Sequence, residues 1–252
     1  MFTGIVRDVG SVVSREPRGG DVRLVIAFDR LDPAGIQVGD SICVQGCCLT
    51  AVALRDRSFA ADLSRETLSL TTLGELTAGS PVNLEPSLRA GDPLGGHLIS
   101  GHVDGIGEIV GISGDARSSR IEISVPPALC RYIARKGSVA IDGVSLTTNE
   151  VQGGRFGINL IPHTRAVTTL GALRVGGHVN VEVDQIARYL ERLLSGDGDD
   201  NEDWRREQVS GHADPNGRVT DPTTGLTSGN DQNWVGGVST DPLSHGRDDS
   251  AV

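Results

Sequence analysis

QGCCLT at residues 45–50 and DGVSLT at residues 142–147 are one phrase written twice, and the interval between them decides how the chain is built. Shifting the sequence by 97 residues lays it on itself without a gap. GIVRDVGSVV (4–13) then falls on GHVDGIGEIV (101–110), SFAADLSRETLSLTTLGEL (58–76) on RFGINLIPHTRAVTTLGAL (155–173), and VNLE (82–85) on VNVE (179–182). The 23 identities over 82 aligned positions keep one register from start to finish. Self-similarity at a fixed offset is the mark of repeated structural units. The chain is read as a tandem duplication with its boundary near Gly96–Gly101.

Each copy has the period of β-structure. Val22, Leu24, Ile26 and Phe28 alternate with Arg23, Val25 and Ala27, and Ile121, Ile123 and Val125 repeat the pattern in the second copy. Glycines and polar clusters cut each copy into about six short runs, which suits a small barrel that closes on itself to remove its edges. The expected fold is all-β: two six-stranded antiparallel Greek-key barrels over residues 1–97 and 98–183. Inside the second copy PPALCRYIARK (126–136) reads as a helix with proline at its start. DQIARYLERLL (184–194) also reads as helix, with Asp184 as N-cap and Ile186, Tyr189, Leu190, Leu193 and Leu194 on one face, and the helical segment is taken as 184–195. Either its own barrel or another subunit covers that stripe. Residues 196–252 are rich in Gly, Asp, Asn, Ser and Thr without periodic apolar residues and are expected to be a disordered acidic tail.

The net charge of −10 says little about a substrate, because residues 195–252 alone hold 12 acidic and 4 basic side chains. MFTGIVRDVG has neither a basic start nor a long apolar stretch, so a secretory signal is not expected. No run reaches the roughly 18 apolar residues that a membrane helix needs. Four cysteines, at 43, 47, 48 and 130, fit a reducing cytoplasm. Neighbouring cysteines strain a disulfide, and zinc-ligand spacing is missing. GIGEIVG (105–111) opens a strand pattern rather than a helix, so it is no dinucleotide fingerprint. Nucleic-acid binding by a small barrel needs a basic groove and stacking aromatics, which are lacking.

Three paired segments combine small residues, hydroxyls and turn signals: GIV with GHV, CLT with SLT, and DLSRET with NLIPHT. Such segments suit a flat, hydrogen-bonding heterocycle. Read singly, Thr50 and Thr147 are also ordinary strand residues, and Thr67 and Thr164 ordinary helix caps. Where the copies differ, polar chemistry appears: Cys48 against Ser145, His102 against Ile5, Asp142 against Gln45. A thiol and an imidazole are usual nucleophile and base. Strand alternation sends Cys47 and Cys48 to opposite faces, and Cys48 shares parity with Thr50. Cys43, Cys47 and Cys130 are read as core filler.

MFTGIV, GCCLT, GGHLISGHVDG (95–105), DGVSLT and IPHT together resemble the riboflavin synthase family of the α type, from Met1 to about Leu194. The resemblance implies two similar barrels, a C-terminal helix joining three chains, and no metal or redox cofactor. It implies a dismutation in which a four-carbon unit passes between two 6,7-dimethyl-8-ribityllumazine molecules, giving riboflavin and 5-amino-6-ribitylaminouracil. It also implies a first-barrel pocket of Gly4, Ile5, Val6, Cys48, Leu49, Thr50, Asp62, Leu63, Ser64, Arg65, Glu66 and Thr67. The second-barrel pocket would hold Gly101, His102, Val103, Lys136, Ser145, Leu146, Thr147, Ile161, Pro162, His163, Thr164, Arg165 and Ala166. Phe2, Ser41, Asp142 and Asp184 complete the implied contacts. Cys48 and His102 are expected to assist proton transfer or addition, with Ser145 and Thr147 positioning a ring. Gln45 stands where many members have asparagine. A homotrimer, with docking on a lumazine synthase shell left open, is the implied assembly; membranes and nucleic acid are not implied partners. Some superfamily members bind lumazine or flavin without turning it over, and that reading is the alternative.

Overall fold

In both copies one strand carries the alternating run, with its last apolar residue, Phe28 or Val125, standing just beyond the strand end. The computed structural model describes residues 1–195 together with Val219–Thr220 and Thr227–Ser228. The first copy is built from β1 (Asp8–Arg18), β2 (Asp21–Ala27), β3 (Ser41–Val44), β4 (Cys47–Thr50), β5 (Ala53–Arg55), β6 (Ser58–Leu63), α1 (Arg65–Leu70) and β7 (Pro81–Pro86). The second follows with β8 (Gly105–Asp115), β9 (Ser118–Ser124), α2 (Pro127–Cys130), β10 (Ser138–Ile141), β11 (Val144–Gln152), β12 (Arg155–Leu160), α3 (Pro162–Val167) and β13 (His178–Val183), and then α4 (Gln185–Leu194).

The second copy is a closed barrel in the order β10-β11-β12-β9-β8-β13, all neighbours antiparallel. The first copy follows the same circuit, but its fourth strand breaks at Ala51–Val52, giving a seven-stranded ladder β4-β3-β7-β1-β2-β6-β5. The chain bridges the break with Ala51 N–H donating to Asp40 O (2.9 Å) and Val52 N–H to Ala60 O (2.8 Å). Alternation fills each interior: Val22, Leu24, Ile26 and Phe59 in the first barrel, Ile121, Ile123, Phe156 and Ile158 in the second. Burying such side chains contributes about 1.5–3 kcal/mol each before entropy is counted.

The two barrels form one unit, Met1–Leu194. At their seam the turn Gln45–Gly46 faces the turn Asp142–Gly143, and the bonds there come in exchanged pairs. Asn83 Nδ2 donates to Asp142 O (2.9 Å) while Asn180 Nδ2 donates to Gln45 O (2.7 Å). Thr169 N–H donates to Asn83 Oδ1 and Thr72 N–H to Asn180 Oδ1, both at 2.8 Å. The duplication thus supplies its own interface, the same residues used once from each side.

The helix expected over 126–136 is only Pro127–Cys130. Beyond it, tight turns close with Tyr132 N–H on Leu129 O and Ile133 N–H on Cys130 O, and Ile133 is drawn into the barrel core. Cys130 is half-buried rather than core. The cap of α1 is Ser64, whose Oγ accepts Thr67 N–H at 3.1 Å, so Thr67 lies inside the helix. Thr164 likewise lies inside α3, which starts on Pro162. Asp184 caps α4, its Oδ1 accepting Ile186 N–H at 3.0 Å.

Helix α4 docks by its polar side. Arg188 pairs with Asp104, Glu191 with Tyr132 and, at 2.8 Å, with Arg131. Its apolar stripe is bare: Ile186, Tyr189, Leu190, Leu193 and Leu194 are 52–83% exposed. Among the described residues no helix is long and apolar enough to cross a membrane. The expectation for 196–252 lies outside the described residues, apart from the pairing of Val219–Thr220 with Thr227–Ser228.

Candidate active site

The three paired segments do converge, but across the copies. Gly101 O accepts Cys48 N–H at 2.7 Å, and Gly4 O accepts Ser145 N–H at 2.9 Å. Val103 packs against the first barrel's core and Val6 against the second's. The assignment of Gly4, Ile5 and Val6 to the first pocket, and of Gly101, His102 and Val103 to the second, is therefore exchanged. The cause is long-range: Phe2 and Ile99 exchange backbone hydrogen bonds of 2.8 and 3.0 Å, and the two segments leave that bridge toward opposite barrels.

The first group then comprises Cys48–Thr50 on β4, the end of β6 with α1, and the crossing Gly101–Val103. Cys48 is half-buried, Leu49 buried and Thr50 exposed, as strand parity requires. Ser41 pairs with Thr50 in register. His102 is exposed on the segment bonded to Cys48. Asp62 is held by Arg23 through two bonds of 2.6 and 2.7 Å, which keep its carboxyl below the usual range. Arg65 and Glu66 are exposed. Leu63, fully buried in the barrel, offers a pocket only its backbone.

In the second group Ser145 and Leu146 are half-buried and Thr147 exposed on β11, beside Gly4–Val6. Ile161, Pro162, His163, Arg165 and Ala166 are exposed on and before α3. Lys136 stands at the end of the β10–β11 pair, its Nζ donating to Asn149 Oδ1 at 3.2 Å. Phe2 is fully buried against Cys43, Ile99 and Ala140, with Cys48 packed on that cluster, so it supports the sites from beneath. Asp142 is 3% exposed and its Oδ1 accepts Asn180 N–H at 2.8 Å, which commits it to the seam rather than an open pocket.

His97 escaped the sequence reading. Its Nδ1 lies 2.7 Å from Ser145 Oγ, and burial lowers its pKa against the opposing pull of Asp184. A neutral imidazole paired to a hydroxyl can accept or return a proton. The first pocket has Cys48 at the place of Ser145. Asn159, two residues before Ile161, has a buried Oδ1 without a hydrogen-bond partner among the described residues. Two equivalent clefts, about 560 and 450 Å³, are lined by none of the paired segments, although Arg23, the partner of Asp62, lines the smaller one. Among the described residues no cluster of three or more His, Cys, Asp or Glu can hold a metal ion.

The lumazine binding domain model matches the chain twice, at residues 3–87 and 100–184. Riboflavin synthase of Photobacterium phosphoreum is 44% identical over 194 residues, covering 77% of this chain and 89% of that protein. The riboflavin synthase of Mycobacterium tuberculosis (strain ATCC 25618 / H37Rv) is 45% identical over 202 residues, covering 79% of this chain and all of the relative. This chain belongs to the riboflavin synthase family. Its fold is also that of LumP complexed with 6,7-dimethyl-8-(1'-D-ribityl) lumazine, at TM-score 0.66 and 27% identity over 73% of this chain and 99% of that one. Within the riboflavin synthase family framework, the CLT and SLT strands occupy equivalent places on the two barrels, each completed by the other copy's crossing segment.

Proposed function

We propose that this chain catalyses the riboflavin synthase reaction on two molecules of 6,7-dimethyl-8-ribityllumazine, yielding riboflavin and 5-amino-6-ribitylaminouracil. One observation carries the reading: both barrels keep a full constellation, Cys48–Thr50 with Gly101–Val103 on one and Ser145–Thr147 with Gly4–Val6 on the other. A dismutation needs two identical substrates side by side, and two similar pockets each hold one. Much of the acceleration then comes from orientation, since effective molarities of aligned partners are very large.

The C7 methyl of the lumazine is acidic because its anion delocalises into the ring, so one group must take that proton while the other molecule is activated by addition at C7. Cys48 and His102 serve the first pocket in these steps. In the second, Ser145 positions the ring with Thr147, and His97 holds the Ser145 hydroxyl. Lys136 and residues 161–166 bind at the second pocket, and Ser41 and residues 62–67 at the first. The productive pair forms between the first barrel of one subunit and the second barrel of its neighbour in a homotrimer, an assembly supported by the bare stripe of α4. The four thiols, all free, support a cytoplasmic setting. Association with lumazine synthase belongs to the same reading.

LumP neighbours carrying riboflavin or flavin mononucleotide favour a second reading, a binder without turnover. Supplying an equal mixture of unlabelled lumazine and lumazine labelled in its four-carbon unit separates them. The synthase yields riboflavin whose xylene ring joins two units drawn independently from the pool. Binding without riboflavin formation would leave the binder.

A further inference from the structure

VNLE and VNVE end on the same acid, and each acid is engaged by the root of a crossing segment. Glu85 on β7 is 4% exposed; its Oε1 accepts Thr3 N–H at 2.7 Å and the Thr3 hydroxyl at 2.6 Å, and its Oε2 accepts Gly4 N–H at 2.9 Å. Glu182 on β13 is 5% exposed; its Oε1 accepts Ser100 N–H at 2.7 Å and the Ser100 hydroxyl at 2.6 Å, and its Oε2 accepts Gly101 N–H at 3.0 Å. Each carboxylate thus grips the root of a crossing segment through both oxygens. From that root, Gly4 O goes on to Ser145 N–H and Gly101 O to Cys48 N–H. Two relays result: Glu85–Gly4–Ser145 ends in the second barrel, and Glu182–Gly101–Cys48 ends in the first.

We propose that Glu85 is the positioning residue of the second-barrel pocket and Glu182 that of the first, each acting on the barrel opposite the strand that carries it. The inference rests on the two-pocket reading above and adds the direction of control. Bonds to a carboxylate are short and strong, and an ionised acid accepts at both oxygens with no O–H donor to oppose the N–H groups. A glutamine in its place turns an N–H toward one of the N–H donors, which loosens the crossing segment without emptying the volume.

The test is a titration of the full chain with riboflavin, followed at the backbone amides of Thr50 and Thr147. Glu85→Gln should weaken binding read at Thr147 by about tenfold or more while Thr50 stays within about twofold, and Glu182→Gln should do the reverse. If either glutamine variant does not fold, Thr3→Val and Ser100→Ala, which remove one donor and keep the acid, should show the same crossed pattern at smaller size. Loss on the acid's own barrel, equal loss at both amides, or no loss at either overturns the proposal. No riboflavin response at either amide of the parent protein would sink the two-pocket reading, and this proposal with it. A uniform weakening is what a merely structural role would give, so the crossed pattern decides.

Discussion

Gly4 and Gly101 carry the crossing at φ of +76° and +79°, a region costly for other residues. A Cβ on Gly4 would stand 2.5 Å from Ser145 Cβ, and one on Gly101 2.7 Å from Cys48 Cβ. Gly4→Ala should therefore lower stability by about 1–3 kcal/mol and weaken ligand binding at the second pocket, read by urea unfolding and by titration. Asp142 makes a pH prediction. Burial raises its pKa from 3.8 to about 7, against the hydrogen bonds from Asn180 and Gln45. The folded state then binds a proton that the unfolded chain has released, so this contribution is full below about pH 4 and is lost as pH rises through about 7. Glu85 and Glu182 are raised by burial too and act in the same direction. The difference between parent and Asp142→Asn isolates one residue: across that window the parent's urea midpoint should fall relative to the variant's, and parallel curves would contradict the assignment. At this scale the parity of Cys48 and Thr50 was legible because alternation is local. His97 stood inside GGHLISGHVDG, but its role was not legible, because its partner Ser145 lies 48 residues further along the chain.

At the scale of elements, the strands were readable from period and punctuation, while their partnerships across the seam were not. The first copy's fourth strand breaks at Ala51, which is fully buried, and nothing in its local pattern marks the break. The exchange of GIV and GHV depends on the Phe2–Ile99 bridge between residues 97 apart, a pairing that composition does not encode. The helix over 126–136 stopped after one turn because Ile133 is used by the barrel core. The seam itself is testable. Asn83→Ala strips partners from Asp142 O and Thr169 N–H and should cost about 1–3 kcal/mol in urea unfolding, with Asn180→Ala costing a similar amount from the other side. A negligible loss in both would mean that hydrogen bonding does not hold the barrels together.

For the whole molecule, the duplication and the family motifs were legible in the sequence, since each motif recurs or stands intact. What covers α4 was open, and the structure answers half of it: ion pairs turn the polar side inward and leave the leucines outside. In the proposed trimer, Leu190→Glu with Leu194→Glu should give monomers by sedimentation, abolish turnover and leave riboflavin binding within a few fold. A trimer persisting in that variant would move the contact elsewhere. The central claim, that two like molecules are disproportionated on two like barrels, is tested most directly by stoichiometry. The purified chain, given 6,7-dimethyl-8-ribityllumazine and no added cofactor, should form one riboflavin and one 5-amino-6-ribitylaminouracil for every two lumazines consumed. Consumption at any other ratio, or tight binding with no riboflavin, would contradict it.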